Sequence, residues 1–266
     1  MIELDRAEVT AWAPDPADGR DRTVRILGPV TVRLTERRVA VVGANGSGKS
    51  TLARLIDGLV LPSAGAVRVD GLDTARDGAA VRRRVGFLFT DPDAQVVMPT
   101  PAEDVALSLR RVPGTAAQRQ AAARDWLGRF GLAGHADLPV HALSAGQRQL
   151  LALAAVLATE PAVLVCDEPT TLLDLRWRGV VDELLDGLDQ QVVLVTHDLD
   201  AAARADRVLV VDGGQVVHDG LPGPALVAYR TLMARAPTPA GPEHDRADPA
   251  DRAQLSGEAR TAATAP

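Results

Sequence analysis

The sequence is short of several things. Cysteine occurs once in 266 residues, at Cys166, so no internal disulfide is possible. A lone thiol of this kind reads as a small buried side chain in a reducing compartment. Long apolar runs are missing: the longest, Leu150 to Ala158, has 9 residues, whereas a membrane-spanning helix needs ~20. The opening MIELDRAEVT lacks the basic and then apolar stretches of a secretory signal, so any membrane role has to come through a partner. Positive charge is in deficit. The 29 Lys and Arg face 35 Asp and Glu, a net charge of -6, which argues against nucleic acid as a partner. Lysine itself is nearly absent, since of those 29 basic residues only Lys49 is not an arginine. One compact ammonium kept in an arginine-rich chain points to a task that a forked guanidinium does not perform.

What is present is the composition of a folded domain. The 46% apolar and 24% charged fractions exclude disorder over the whole chain. Residues 1–38 read as short strands, with the breaker-rich Pro14-Asp15-Pro16-Ala17-Asp18-Gly19 among them. Val39-Ala40-Val41-Val42 reads as a strand, and Thr51 to Val60 as a helix from the spacing of Leu52, Leu55, Ile56 and Leu59. Further strands are expected at Ala66 to Val69 and Val85 to Phe89, and residues 100–155 look mainly helical. The apolar runs Ala162 to Cys166 and Gln191 to Val195 suit a parallel sheet covered on both faces, with helical crossovers between strands. Asp212-Gly213-Gly214 is a hairpin signal between Arg207 to Val211 and Gln215 to His218. From about Ala236 to Pro266, Ala, Pro and charge dominate, and this stretch reads as a disordered tail.

Gly43-Ala44-Asn45-Gly46-Ser47-Gly48-Lys49-Ser50 follows one strand and opens a helix that begins with Thr51. It matches the phosphate-binding pattern G-x-x-x-x-G-K-[ST]. Backbone N–H groups of such a loop, with the helix N-terminus, cradle a polyphosphate. Lys49 is expected to reach the β- and γ-phosphates and Ser50 to place its hydroxyl on Mg²⁺. Val163-Leu164-Val165-Cys166-Asp167-Glu168 is an apolar strand ending in two acids. Beside a phosphate loop, Asp167 suits Mg²⁺ through its water shell and Glu168 suits the attacking water, which is most of what phosphoryl transfer requires.

Leu143-Ser144-Ala145-Gly146-Gln147 precedes that strand by about 20 residues and opens an apolar helix. It is similar to the LSGGQ signature of ABC ATPases, and the other elements of that family occur in the same order. Asp174 in Thr171-Leu172-Leu173-Asp174 resembles the D-loop, His197 in Val195-Thr196-His197-Asp198 resembles the switch histidine, and Trp12 stands near the aromatic that stacks on adenine. The resemblance covers roughly residues 1–230. It implies an α/β P-loop cassette with a mainly parallel core sheet, an antiparallel β subdomain and an inserted helical subdomain at about 91–155. The nucleotide-binding domain would span residues 1–235. It implies ATP and Mg²⁺ as cofactors and a second ABC ATPase subunit, equal or different, as partner. In such a pair Ser144, Ala145, Gly146 and Gln147 would face the ATP held by the other cassette.

Two departures from the family pattern stand out. Ala145 replaces a glycine, and its methyl is expected to restrict the backbone where the helix begins. The position after Phe89, where the family has a metal-binding glutamine, holds Thr90, with Gln95 five residues later. Thr90 is therefore the third candidate metal ligand beside Ser50 and Asp167.

The segment FLFTDPDAQVVMPTPAEDVALSL looks like the corresponding part of energy-coupling factor ATPases, which power vitamin and metal-ion importers. The resemblance implies a membrane coupling subunit and a solute-binding membrane subunit as partners, a place on the cytoplasmic face of a bacterial membrane, and Glu103 and Asp104 as contacts for partner arginines. The Phe-Thr-Asp-Pro form and CDEPTTLLDLR lean toward biotin uptake, with cobalt and nickel importers close behind. A conventional ABC importer or exporter stays open as an alternative. A soluble ABC ATPase acting on ribosomes or DNA is disfavoured by the single cassette, the acidic chain and the lack of a sustained heptad between Lys49 and Leu143. The signature and His197 argue against a P-loop kinase or GTPase.

Overall fold

The computed structural model describes residues 1–14 and 20–234. Most of the breaker-rich segment near Pro14, and the tail expected from Ala236, lie outside the described residues.

The first strands, β1 (Ile2–Pro14) and β2 (Asp21–Leu34), are long rather than short. They stay paired because register shifts between Leu4 and Ala7, Ala7 and Val9, and Val9 and Thr10 bend the ribbon without ending it. Then come β3 (Arg38–Gly43), α1 (Lys49–Asp57), β4 (Ala64–Val69), β5 (Leu72–Asp73), α2 (Gly78–Arg84) and β6 (Val85–Leu88). Three helices follow: α3 (Pro101–Ser108), α4 (Ala116–Gly128) and α5 (Ala145–Leu157). The chain closes with β7 (Val163–Asp167), α6 (Leu175–Asp186), β8 (Gln191–Val195), α7 (Leu199–Ala203), β9 (Arg207–Asp212), β10 (Gln215–Gly220) and α8 (Pro222–Met233). The sequence pattern had not marked α8. Helix α1 starts two residues earlier than its apolar spacing suggests and stops at Gly58, whose φ of 73° gives a left-handed cap.

The strands form two sheets. One is antiparallel, in the order β2-β1-β4-β5; the other runs β10-β9-β3-β8-β7-β6 and is parallel except for the β9–β10 hairpin. The parallel sheet is covered on both faces, which its unbroken apolar strands require. On β7, Val163 and Val165 point into the core shared with α1 and the antiparallel sheet. Their neighbours Leu164 and Cys166 point into the core shared with α3, α4 and α5. On β3, Ala40 and Val42 face α7 and α8, where they meet Ala202, Ala225 and Leu226. The fold is the α/β P-loop cassette that the resemblance implies. The inserted helices are not a detached body, because α5 packs in one core with Leu88, Leu164 and Cys166 of the sheet.

This topology places the carboxyl ends of β3, β7 and β8 side by side, since β3 neighbours β8 and β8 neighbours β7. Open α/β sheets bind ligands at that edge. Among the described residues no helix is long and apolar enough to cross a membrane.

Candidate active site

The loop after β3 wraps the start of α1. Gly43 ends the strand, Ala44, Asn45, Gly46 and Ser47 form the bend, and Gly48 is the residue before the helix. Gly48 has φ 102°, a conformation that a side chain would strain. It offers no side-chain cap, whereas Thr100, Thr115, Ser144 and Asp174 each cap the helix they precede. The first-turn N–H groups of α1, at Lys49, Ser50 and Thr51, therefore end in open donors, the arrangement that binds an anion. Ser47 Oγ is buried with no hydrogen-bond partner, a further polar group aimed into the loop.

Lys49 is almost fully buried and donates from Nζ to the Ala44 carbonyl at 2.8 Å. Burial pushes its pKa down, while Glu168 and Asp167 oppose the shift. Ser50 Oγ donates to Asp167 Oδ1 at 2.9 Å, which ties the loop helix to the end of β7. Asp167 is buried, and desolvation raises its pKa against the Ser50 hydrogen bond and the charge of Arg54. Arg54 reaches Asp167 Oδ2 at 3.7 Å from one turn further along α1. Thr90 donates from Oγ1 to the Asp167 carbonyl at 2.6 Å. Gln95 is held away from the acids, accepting from Phe89 N at 3.2 Å and donating to Phe87 O at 3.1 Å. Among the described residues no group of three His, Cys, Asp or Glu could hold a metal ion. An ion at Ser50 and Asp167 would have to be shared with phosphate oxygens, which is how Mg²⁺ usually binds beside a nucleotide.

Glu168 carries the second acid. Its Oε1 lies 2.7 Å from His197 Nε2, and its Oε2 accepts from Thr171 Oγ1 at 3.1 Å. Its backbone φ is 52°, a conformation costly for a residue with a side chain and one that clusters at functional sites. The arrangement can therefore present an oriented carboxylate beside a cationic phosphate cradle. That is the chemistry of nucleotide hydrolysis.

Ser144 caps α5 reciprocally with Gln147, giving the signature helix a fixed start. Ala145 sits in ordinary helical backbone without positive φ, so the expected restriction from its methyl is not met: a helix start accepts Ala as readily as Gly. Gly146 is where a side chain fails, since a Cβ there would come within 2.2 Å of the Trp177 ring. Asp174 caps α6 by accepting from Trp177 N at 3.0 Å. Trp177 thus ties the signature to the Asp174 loop. Nothing in its residue type or spacing marked it, whereas Arg54, four residues after Ser50 on one helix face, carried a readable signal. Trp12 lies on β1 opposite Thr23, half exposed.

The acids expected to meet partner arginines are committed within the chain. Glu103 closes the capping box on Thr100, and Asp104 is buried, accepting from Val97 N and Met98 N at 2.9 and 3.1 Å. Burial pushes the pKa of Asp104 up against those bonds. What lies open nearby is a groove of about 390 Å³ lined by Asp93, Met98, Pro99, Val140, His141 and Arg148. Its polar wall is an ion pair, Arg148 Nε to Asp93 Oδ1 at 2.9 Å.

Residues 30–171, over half of the chain, match the ABC transporter family. The chain belongs to that family. As an ABC protein it binds ATP and is an ATPase. Over 78% of its length it is 48% identical to an ABC transporter ATP-binding protein of Deinococcus radiodurans, covering 92% of that protein. It is 42% identical, over 78% of its length and 92% of the relative, to the biotin transport ATP-binding protein BioM of Rhizobium etli. It is 43% identical, over 80% of its length and 76% of the relative, to the energy-coupling factor transporter ATP-binding protein EcfA1 of Symbiobacterium thermophilum. Among solved structures, this ABC ATPase superposes on the dimeric post-hydrolysis state of the ATP-binding cassette MJ0796 bound to ADP and Pi. The TM-score is 0.73 at 28% identity, over 84% of this chain and 99% of that one. It also superposes on cbiO1 of Clostridium perfringens, part of the ABC transporter complex cbiONQ, with a TM-score of 0.70 at 27% identity, over 87% of this chain and 92% of that one.

Proposed function

We propose that this ABC ATPase is the ATP-hydrolysing subunit of a bacterial importer of the energy-coupling factor type. It works on the cytoplasmic face of the membrane and takes up a vitamin or metal ion, with biotin the leading solute. The observation that carries the reading is Glu168, a carboxylate held on one side by His197 and on the other by Thr171, next to the acid that touches the phosphate-loop helix. The likeness to BioM, EcfA1 and cbiO1 directs that chemistry toward import.

In this reading the amides from Gly43 to Thr51, with Lys49, hold the ATP phosphates, and Trp12 stacks on the adenine. Lys49 exchanges the Ala44 carbonyl for a phosphate oxygen. Ser50 and Asp167 hold Mg²⁺, with Thr90 steadying Asp167 through its carbonyl. Bound there, Mg²⁺ neutralises charge on the β- and γ-phosphates. Glu168 orients the attacking water and accepts its proton, and His197 keeps Glu168 and the γ-phosphate in register. A second cassette, the same chain or a related one, pairs head to tail, so that Ser144, Ala145, Gly146 and Gln147, at the capped start of α5, face the ATP of the partner. Asp174 lies at that junction. The groove at Asp93 and Arg148 receives the membrane coupling subunit, which carries a solute-binding membrane subunit.

The test is purification of the tagged chain from its own detergent-solubilised membranes, with identification of bound proteins by mass spectrometry and uptake of labelled biotin by cells with and without the gene. A coupling membrane protein, a small solute-binding membrane protein and gene-dependent uptake are expected. Recovery of ribosomal or DNA-repair proteins alone, with no membrane protein, overturns the import reading and leaves the ATPase chemistry standing.

A further inference from the structure

The signature helix is tied down by a residue that belongs to no motif. Ser144 and Gln147 form a reciprocal pair at the start of α5: Gln147 N donates to Ser144 Oγ at 3.2 Å, and Ser144 N donates to Gln147 Oε1 at 2.9 Å. A backbone N–H only donates, so the Gln147 atom facing it is the carbonyl oxygen. The Gln147 amide nitrogen then faces His135 Nε2 at 2.9 Å. That nitrogen also only donates, so His135 Nε2 is the bare lone pair and the ring proton sits on Nδ1. His135 Nδ1 is buried and has no hydrogen-bond partner among the described residues. The ring is thus placed so that one nitrogen goes unpaired while the other serves Gln147. The capping boxes that Glu103 and Gln118 close at Thr100 and Thr115 have no comparable third residue among the described residues.

We infer that His135 is a positioning residue for ATP hydrolysis. Its Nε2 lone pair fixes the Gln147 amide in the orientation that closes the box on Ser144. It thereby aims the N-terminus of α5 at the nucleotide across the paired interface. His135 touches no reacting atom and acts through Gln147. The inference rests on the proposed head-to-tail pairing of signature and phosphate loop.

The experiment compares wild type, His135→Leu and His135→Gln. Leu removes the acceptor and keeps apolar bulk, while Gln returns a carbonyl oxygen at about the reach of Nε2. Three quantities are measured: kcat and KM for ATP, affinity of the single chain for ADP, and ATP-driven dimerisation in a Glu168→Gln background. His135→Leu is expected to lower kcat at least about fivefold and to raise the ATP concentration needed for dimerisation, with ADP affinity within about twofold of wild type. His135→Gln is expected to regain at least about half of the wild-type kcat. A His135→Leu protein with wild-type kcat and dimerisation overturns the inference. So does a folded His135→Gln protein as slow as His135→Leu, or a loss of ADP affinity parallel to the loss of kcat, because each shifts the role from the acceptor to general structure. If wild type neither hydrolyses ATP nor dimerises with it, the pairing reading falls and the inference falls with it. Any of the contrary variant results beside an active wild type removes the inference alone and leaves the pairing reading standing.

Discussion

His197 Nε2 and Glu168 Oε1 stand 2.7 Å apart, joining the residue after the Val195 strand end and Thr196 to the residue after the Asp167 strand end. Two parallel neighbours in one sheet deliver them, so the contact is a product of strand order as much as of side-chain chemistry. If this contact orients Glu168, then His197→Ala lowers kcat by ~10²-fold, within the range for loss of a positioned acid–base partner. Nucleotide affinity is expected to hold, since His197 lies outside the phosphate loop. Steady-state ATPase rates, paired with fluorescent-nucleotide titration, check both parts.

Lys49 is the only lysine and is buried in the loop that it serves. Lys49→Ala is expected to weaken ATP binding by at least ~10-fold, about 1.4 kcal/mol. Lys49→Arg is expected not to restore affinity, because a planar guanidinium is larger than the compact ammonium held in this buried position against the Ala44 carbonyl. Calorimetric titration with ATP measures both variants.

Gly146 and Trp177 meet so closely that a single methyl has to displace the ring. Gly146→Ala is expected to cost about 1–3 kcal/mol of stability through overpacking. Trp177→Leu in the same chain should recover part of that loss, because the two positions share one space. Thermal melts of the two single variants and the double variant give the coupling directly.

Much of this site is legible in the sequence. The phosphate loop, the acids after β7 and the histidine after β8 are set by short local patterns attached to apolar strands, and unbroken apolar runs locate those strands. What the pattern left out depends on contacts between distant segments. Gly146 looks like one more signature glycine until Trp177 is seen against it, and His135 has no pattern at all. Glu103 and Asp104 read as contacts for a partner's arginines, yet one closes a helix cap and the other is buried among backbone donors. The length of β1 and β2 comes from bulges, which one strand alone does not reveal.

Asp57 closes α1 as a buried carboxylate at the helix end where negative charge is disfavoured. Burial pushes its pKa up to about 7 from 3.8, against the charge of Arg82. Between those two values the folded chain holds a proton that the unfolded chain has lost, so stability falls as pH rises from about 4 to about 7 and the penalty is complete above pH 7. Asp57→Asn removes the slope and is expected to stabilise the protein above pH 7 by up to about 4 kcal/mol, the worth of the shift at 1.36 kcal/mol per unit. Melting temperatures from pH 5 to pH 8.5 for both proteins test it.

The central claim is that Glu168 drives hydrolysis at an ATP site completed by a second cassette. The most direct measurement is light scattering on size-exclusion chromatography of Glu168→Gln with Mg-ATP, beside its ATPase rate. The account predicts a dimer that forms with ATP, is absent with ADP, and turns over at least ~10²-fold more slowly than wild type. A Glu168→Gln protein that stays monomeric with ATP, or hydrolyses it at the wild-type rate, contradicts the account.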